Sequence, residues 1–126
     1  MRIWTLTLTA IGGLIGAAGV SAAAAAAHVA NTAGMNAIAQ IGMAHGAALV
    51  ALAALAQGMA RPVWTLGAAS LIAFGAGAFC LELGLRHFFA ISMFPNAAPI
   101  AGTAIILGWL GVAVAALREM TVRAAN

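Results

Sequence analysis

The chain contains no lysine, no aspartate and no tyrosine, and it carries two acids, Glu82 and Glu119, against five arginines. Charged residues make up 6% of its 126 positions and hydrophobic ones 65%, whereas soluble domains carry roughly 25% charged residues. A water-facing surface cannot be assembled from this inventory, so lipid must be the solvent for most of the chain. The net charge of +3 comes from arginines scattered at the ends of apolar runs. That placement fits membrane anchors and not a nucleic-acid footprint. The single cysteine, Cys80, can form no internal disulfide and reads as an apolar packing residue. There is no glycine-rich phosphate loop followed by lysine, no Ser–His–Asp set and no nucleophile motif.

What is present is hydrophobic length. The mean hydropathy is +1.11, and the chain is long enough for about four spans of roughly 20 residues with short links. The expected fold is an all-α integral membrane four-helix bundle, a single domain over residues 1–126. Spans are expected at about 3–27, 37–57, 63–83 and 98–117. The first stretch could be read as a signal peptide, with Ser21 to Ala27 as the cleavage region. Its apolar run is longer than a usual signal core of about 7–15 residues, so a retained span fits better. His28 to Asn36 and the Arg61–Pro62 pair supply polar turns. The connection at about 85–97 is rich in phenylalanine (Phe88, Phe89, Phe94) and reads as a segment lying in the interface.

The stretch Ile41 to Leu55 is the expected hub of the bundle. Gly42 and Gly46 leave one flank nearly bare, and His45 stands between them. A histidine at this depth should be neutral, face protein and bond to a neighbouring helix, the first or the third. Gly12, Gly16 and Gly19 step by three or four along the first span, and Gly75 and Gly108 add small positions in the third and fourth. These are the candidate helix-packing residues, since small residues let membrane helices approach closely. Arg2, Arg61, Arg118 and Arg123 fall on one side of a four-span chain and Arg86 on the other. The positive-inside rule then puts both termini in the cytoplasm, or the matrix-equivalent compartment, and the expected location is a cell inner membrane. Trp4 and Trp64 read as interface anchors, and Trp109 as a deeper packing residue.

Four segments resemble one family. The first is GGLIGAAGVSAAAAAAHVA, ending near His28; the second is QIGMAHGAALVALA, with Gln40 and His45. The third is AFGAGAFCLEL, and the fourth is PIAGTAIILGWL, with Pro99, Gly102, Gly108 and Trp109. Together they resemble the small four-span membrane proteins catalogued as domain of unknown function 423, whose eukaryotic relatives are known as transmembrane protein 256. The resemblance spans Ile11 to about Leu117 and implies a four-span fold. It carries no established activity.

The polar residues gather toward one side, which the arginine bias makes the outer one. His28, Gln40, Glu82, Arg86 and His87 belong to the outer helix ends or loops, and His45 to the outer half of its span. With His45 included, these six are the candidate ligand or polar-cluster residues. The bland alternative is that they cap helices and bond across the bundle. Glu82 precedes Arg86 by four residues, the spacing and order of a helical ion pair. Two histidine ligands of one haem must lie at similar depth. His28 and His45 do not, so no haem is expected; nor is a zinc site or any other cofactor. The leading expectation is a protein without catalysis of its own, an accessory subunit in a larger membrane complex. A small carrier or channel using the outer polar residues is one alternative. A module binding a quinone or a lipid through His45, Gln40 or Glu82 is another.

Overall fold

The computed structural model describes residues 1–125. It contains four helices: α1 Arg2–Ala26, α2 Ala33–Ala56, α3 Pro62–Phe89 and α4 Ala97–Ala124. All four are long and apolar enough to cross a membrane. A helix pairs its backbone groups within itself, as a segment in lipid must. α1 matches its expected span to within a residue, and the other three helices run longer than the spans expected from hydropathy. α2 begins four residues earlier, and α3 continues to Phe89, so the first five residues of the expected interfacial connection are helix and the loop proper is 90–96. At 28 residues each, α3 and α4 are about 42 Å long, more than the roughly 30 Å of a bilayer core. Their ends therefore stand outside the hydrocarbon or the helices tilt. The C-terminal residue, Asn126, lies outside the described residues, and with it the expected cytoplasmic C-terminus.

α1 packs along α2 and α3 along α4, as two antiparallel hairpins joined where α2 meets α3. α3 also touches α1, while the α4 backbone packs on α3 alone. In backbone packing α3 approaches all three other helices. α2, expected as the hub at Ile41–Leu55, packs on α1 and α3 and reaches α4 through side chains, so the two helices share the central place. The reason lies in the small and branched residues of α3. Ala69, Ile72, Ala73 and Ala76 are buried with Leu49, Leu52 and Ala53 of α2 and Ile105 of α4 in one core. Large apolar side chains point outward from every helix, among them Leu14, Phe74, Ile106 and Leu110. That surface suits lipid and not water.

One end of the bundle carries the α1–α2 and α3–α4 loops. The other carries the N-terminus, the α2–α3 loop, and Arg2, Arg61, Arg118 and Arg123. Three non-glycine residues adopt positive φ, namely Asn31, Ala90 and Asn96, and all three lie in the loops of the first end. At Ala90 the chain leaves α3 in the left-handed conformation while its N–H still bonds the Arg86 carbonyl, which stops the helix.

Candidate functional site

His45 is residue 13 of the 24 in α2, about 18 Å from the helix start and near its midpoint. α2 begins earlier than hydropathy indicates, so His45 stands farther along its helix than expected. It is buried, and both ring nitrogens are engaged. Nδ1 is 2.8 Å from the carbonyl of Ile41, and Nε2 accepts the indole N–H of Trp109 at 3.2 Å. An indole nitrogen can only donate, so Nε2 is the acceptor and the proton sits on Nδ1. The bonded helix is α4, not the expected α1 or α3. The reach comes from side-chain length: the α2 and α4 backbones do not pack, and the two rings meet tilted with centroids 6.2 Å apart. Trp4 makes a similar long bond from α1 to α3, its indole donating to the Ser70 hydroxyl at 2.9 Å.

The expected outer polar residues do not form one cluster. Glu82 and Arg86 are paired as the spacing indicates. Glu82 is fully buried and also accepts the Ser92 hydroxyl at 2.7 Å and the Met93 N–H at 2.8 Å. Both carboxylate oxygens are therefore spent on holding the α3–α4 loop against α3, two turns below the end of that helix. His87 stands apart, edge-on to Phe88 and close to Gly34 at the start of α2. His28 is exposed in the α1–α2 turn and Gln40 is exposed on α2. Neither lies with His45.

Glu119 repeats the Glu82 arrangement at the opposite end. It accepts the N–H of Ala60 at 2.8 Å, the N–H of Arg61 at 3.3 Å and the Arg123 side chain at 2.9 Å. Arg123 in turn donates to the Gly58 carbonyl at 2.6 Å. Each acid of the chain is followed by arginine four residues on, and each pair secures one interhelix loop. Sequence reasoning singled out the first pair and missed the second, although the repeated Glu-x-x-x-Arg spacing was visible. It also missed Ser92 and the Trp109–His45 bond, for which no local signal exists.

The packing glycines fall into two groups. A Cβ on Gly46 would lie 2.6 Å from the Gly16 backbone, one on Gly42 2.7 Å from Gly19, and one on Gly19 2.5 Å from the Met43 nitrogen. Gly12 faces the Gly46 carbonyl at 2.8 Å. Gly16 is different: its own Cβ direction is open to 3.9 Å, so its contribution is the bare backbone it offers to Gly46. In the other hairpin, Gly75 meets Ala101 and Ile105 of α4, while Gly108 meets Ile72 and Ala68 of α3. The opposite flank of α1 shows a second line of small residues, Gly13, Ala17 and Ser21. All are exposed, and nothing lies within 4 Å of a Cβ at Gly13.

Three clefts open at the arginine-bearing end, two of them lined by Arg2, Arg61 or Arg118. One, of about 460 Å³, is lined by Arg2, Thr5, Gln57, Met59 and Leu66 among others. The second, of about 170 Å³, lies between α3 and α4 and is lined by Arg61, Trp64, Arg118, Thr121 and Val122. Among the described residues, no three His, Cys, Asp or Glu side chains come together as a metal site would require. No protein family, curated protein or solved structure matched the chain.

Proposed function

We propose that this protein is a multi-pass inner-membrane protein without catalysis of its own, an accessory subunit that packs into a larger membrane assembly through α1. The observation that carries this reading is the second small-residue line of α1. The Gly12–Gly16–Gly19 face is used up on α2, yet Gly13, Ala17 and Ser21 keep the same i, i+4 spacing toward the outside. Small-xxx-small lines let another helix come close enough for backbone packing, and lipid has no need of them. The outward faces of α3 and α4 carry large side chains such as Phe74 and Leu107, and the exposed small residues of α2, Ala44, Ala47, Ala51 and Ala54, include no glycine. A carrier would use a free polar group and a quinone site a free ring nitrogen. Both oxygens of Glu82 and both nitrogens of His45 already have protein partners. The sequence likeness to the domain of unknown function 423 family supports a four-span protein and is neutral on activity.

The test is extraction in a gentle neutral detergent followed by sizing. The wild-type chain is expected in a complex well above its own 12.5 kDa. Gly13→Leu with Ala17→Leu is expected to release it while leaving its helix content unchanged. A double variant that stays in the complex would refute the assignment of this face. We further propose that both termini are cytoplasmic, on the arginine asymmetry. In a Cys80→Ala background, a cysteine at Ala125 is expected to be labelled from the cytoplasm and one at Asn31 from the other side. The reverse pattern would overturn the orientation.

A further inference from the structure

We infer that the cleft between the first turn of α3 and the last turns of α4 binds a phosphate oxyanion, supplied by the headgroup of an anionic membrane lipid. Its ligands would be the guanidinium groups of Arg61 and Arg118, which line the cleft from the two helices. The chain has two acids, and both are committed elsewhere, Glu82 to Arg86 and Glu119 to Arg123. Arg61 and Arg118 therefore have no carboxylate partner among the described residues. Glu119 is the nearest acid in sequence to this cleft, and it is occupied by the amides of Ala60 and Arg61 and by Arg123. The Arg61 amide bond to Glu119 holds that residue in place and leaves its side chain unspent.

The geometry prepares the site. The Arg118 guanidinium carbon lies 4.3 Å above the Trp64 ring, and stacking of this kind orients the fork while leaving its in-plane N–H donors available. Arg61 is the N-cap of α3 and Pro62 follows it, with no side chain capping the turn. The positive dipole end of α3 is offset by the Glu119 carboxylate on the amides of Ala60 and Arg61 and by the C-terminal end of α4, so the two guanidinium groups carry the site. The Arg118 carbonyl, which would repel an anion, is taken by the Thr121 hydroxyl at 2.8 Å. The volume of about 170 Å³ is below the roughly 300–1,000 Å³ of pockets for drug-sized ligands, and it suits one compact charged group. Val63, Trp64 and Leu117 are exposed beside the cleft. They offer apolar surface along which the glycerol and chains attached to a lipid phosphate can lie, a feature that free phosphate would not use.

The experiment uses the full chain in a neutral detergent, titrated separately with phosphatidylglycerol, phosphatidylcholine and inorganic phosphate, and reads tryptophan fluorescence and the unfolding midpoint. Saturable phosphatidylglycerol binding is expected, about tenfold or more tighter than phosphatidylcholine binding. Arg61→Gln and Arg118→Gln are each expected to weaken it about tenfold, the scale of one charge-assisted bond. Arg2→Gln, at the same end but outside the cleft, is expected to change it less than about twofold, because an exposed charge at a distance is screened. If a glutamine variant loses helix content, Thr121→Phe fills the cleft with both charges intact and is expected to give the same loss. Equal affinity for the two lipids, an Arg2→Gln effect as large as the others, or full binding by Thr121→Phe would overturn the proposal. Tighter binding of inorganic phosphate than of phosphatidylglycerol would overturn the lipid source and assign the cleft to the free ion.

Discussion

The α1–α2 hairpin and the α3–α4 hairpin close by different means. In the first, glycine faces glycine: Gly16 and Gly19 of α1 meet Gly46 and Gly42 of α2, backbone on backbone. In the second, glycine faces isoleucine in both directions, Gly75 under Ile105 and Gly108 under Ile72. The second hairpin also has its loop tied by Glu82, Ser92 and Met93, whereas the α1–α2 turn is held at the α2 start by the weaker Asn36 to Thr32 side-chain bond of 3.2 Å. Between membrane helices there is little hydrophobic drive, so contact area and polar bonds decide. The first hairpin relies on shape alone, and the second on interlocking side chains plus a buried carboxylate. A seam of bare backbone leaves nothing that can move aside, whereas a seam with side chains can repack.

That difference can be broken from the rigid side first. Gly46→Ala places a methyl 2.6 Å from the Gly16 backbone, with no side chain able to yield. It should cost about 1–3 kcal/mol or more, as overpacking does, and part α1 from α2. Unfolding in denaturant, with a distance probe across the hairpin, checks both effects. Gly108→Ala should cost less, toward the lower end of about 1–3 kcal/mol, because its backbone neighbours stand at 3.0 and 3.1 Å and only the Ile72 Cγ1 is nearer, whereas three backbone atoms lie within 2.7 Å of a methyl at Gly46. Equal losses for the two variants would erase the distinction between the seams. Trp109→Phe removes one bond to His45 and should cost about 0.6 kcal/mol, the average for membrane interhelix hydrogen bonds. An unfolding titration resolves it only against the other two. A loss beyond that of Gly46→Ala would mean that the α2–α4 link, and not the glycine seam, holds the fold.

Much of this was legible in the sequence and some could not have been. Hydropathy was enough to indicate four apolar helices, and the three- and four-residue glycine steps pointed at the faces that pack. Glu82 with Arg86 was readable because both partners sit on one helix, four residues apart. Hydropathy underestimated the helix lengths, since the polar ends of α2 and α3 (Asn36, Arg86, His87) remain helical. The pairings with sequence separations of about sixty residues, Trp109 with His45 and Glu119 with Ala60, depend on how the hairpins dock. No local pattern records that docking. That α3 shares the central place with α2 was hidden for the same reason: a glycine-flanked histidine marks a close contact, but the number of neighbours a helix has is a property of the assembled bundle.

The central claim is that the exposed Gly13–Ala17–Ser21 line of α1 is a protein contact and not a lipid contact. The most direct measurement is site-specific photo-crosslinking in native membranes, with the reactive group at Ala17 and, for comparison, at Leu107 on the outward face of α4. A discrete protein adduct, heavier than two copies of the chain, is expected from Ala17, and lipid adducts alone from Leu107. Lipid adducts alone from both positions would contradict the claim.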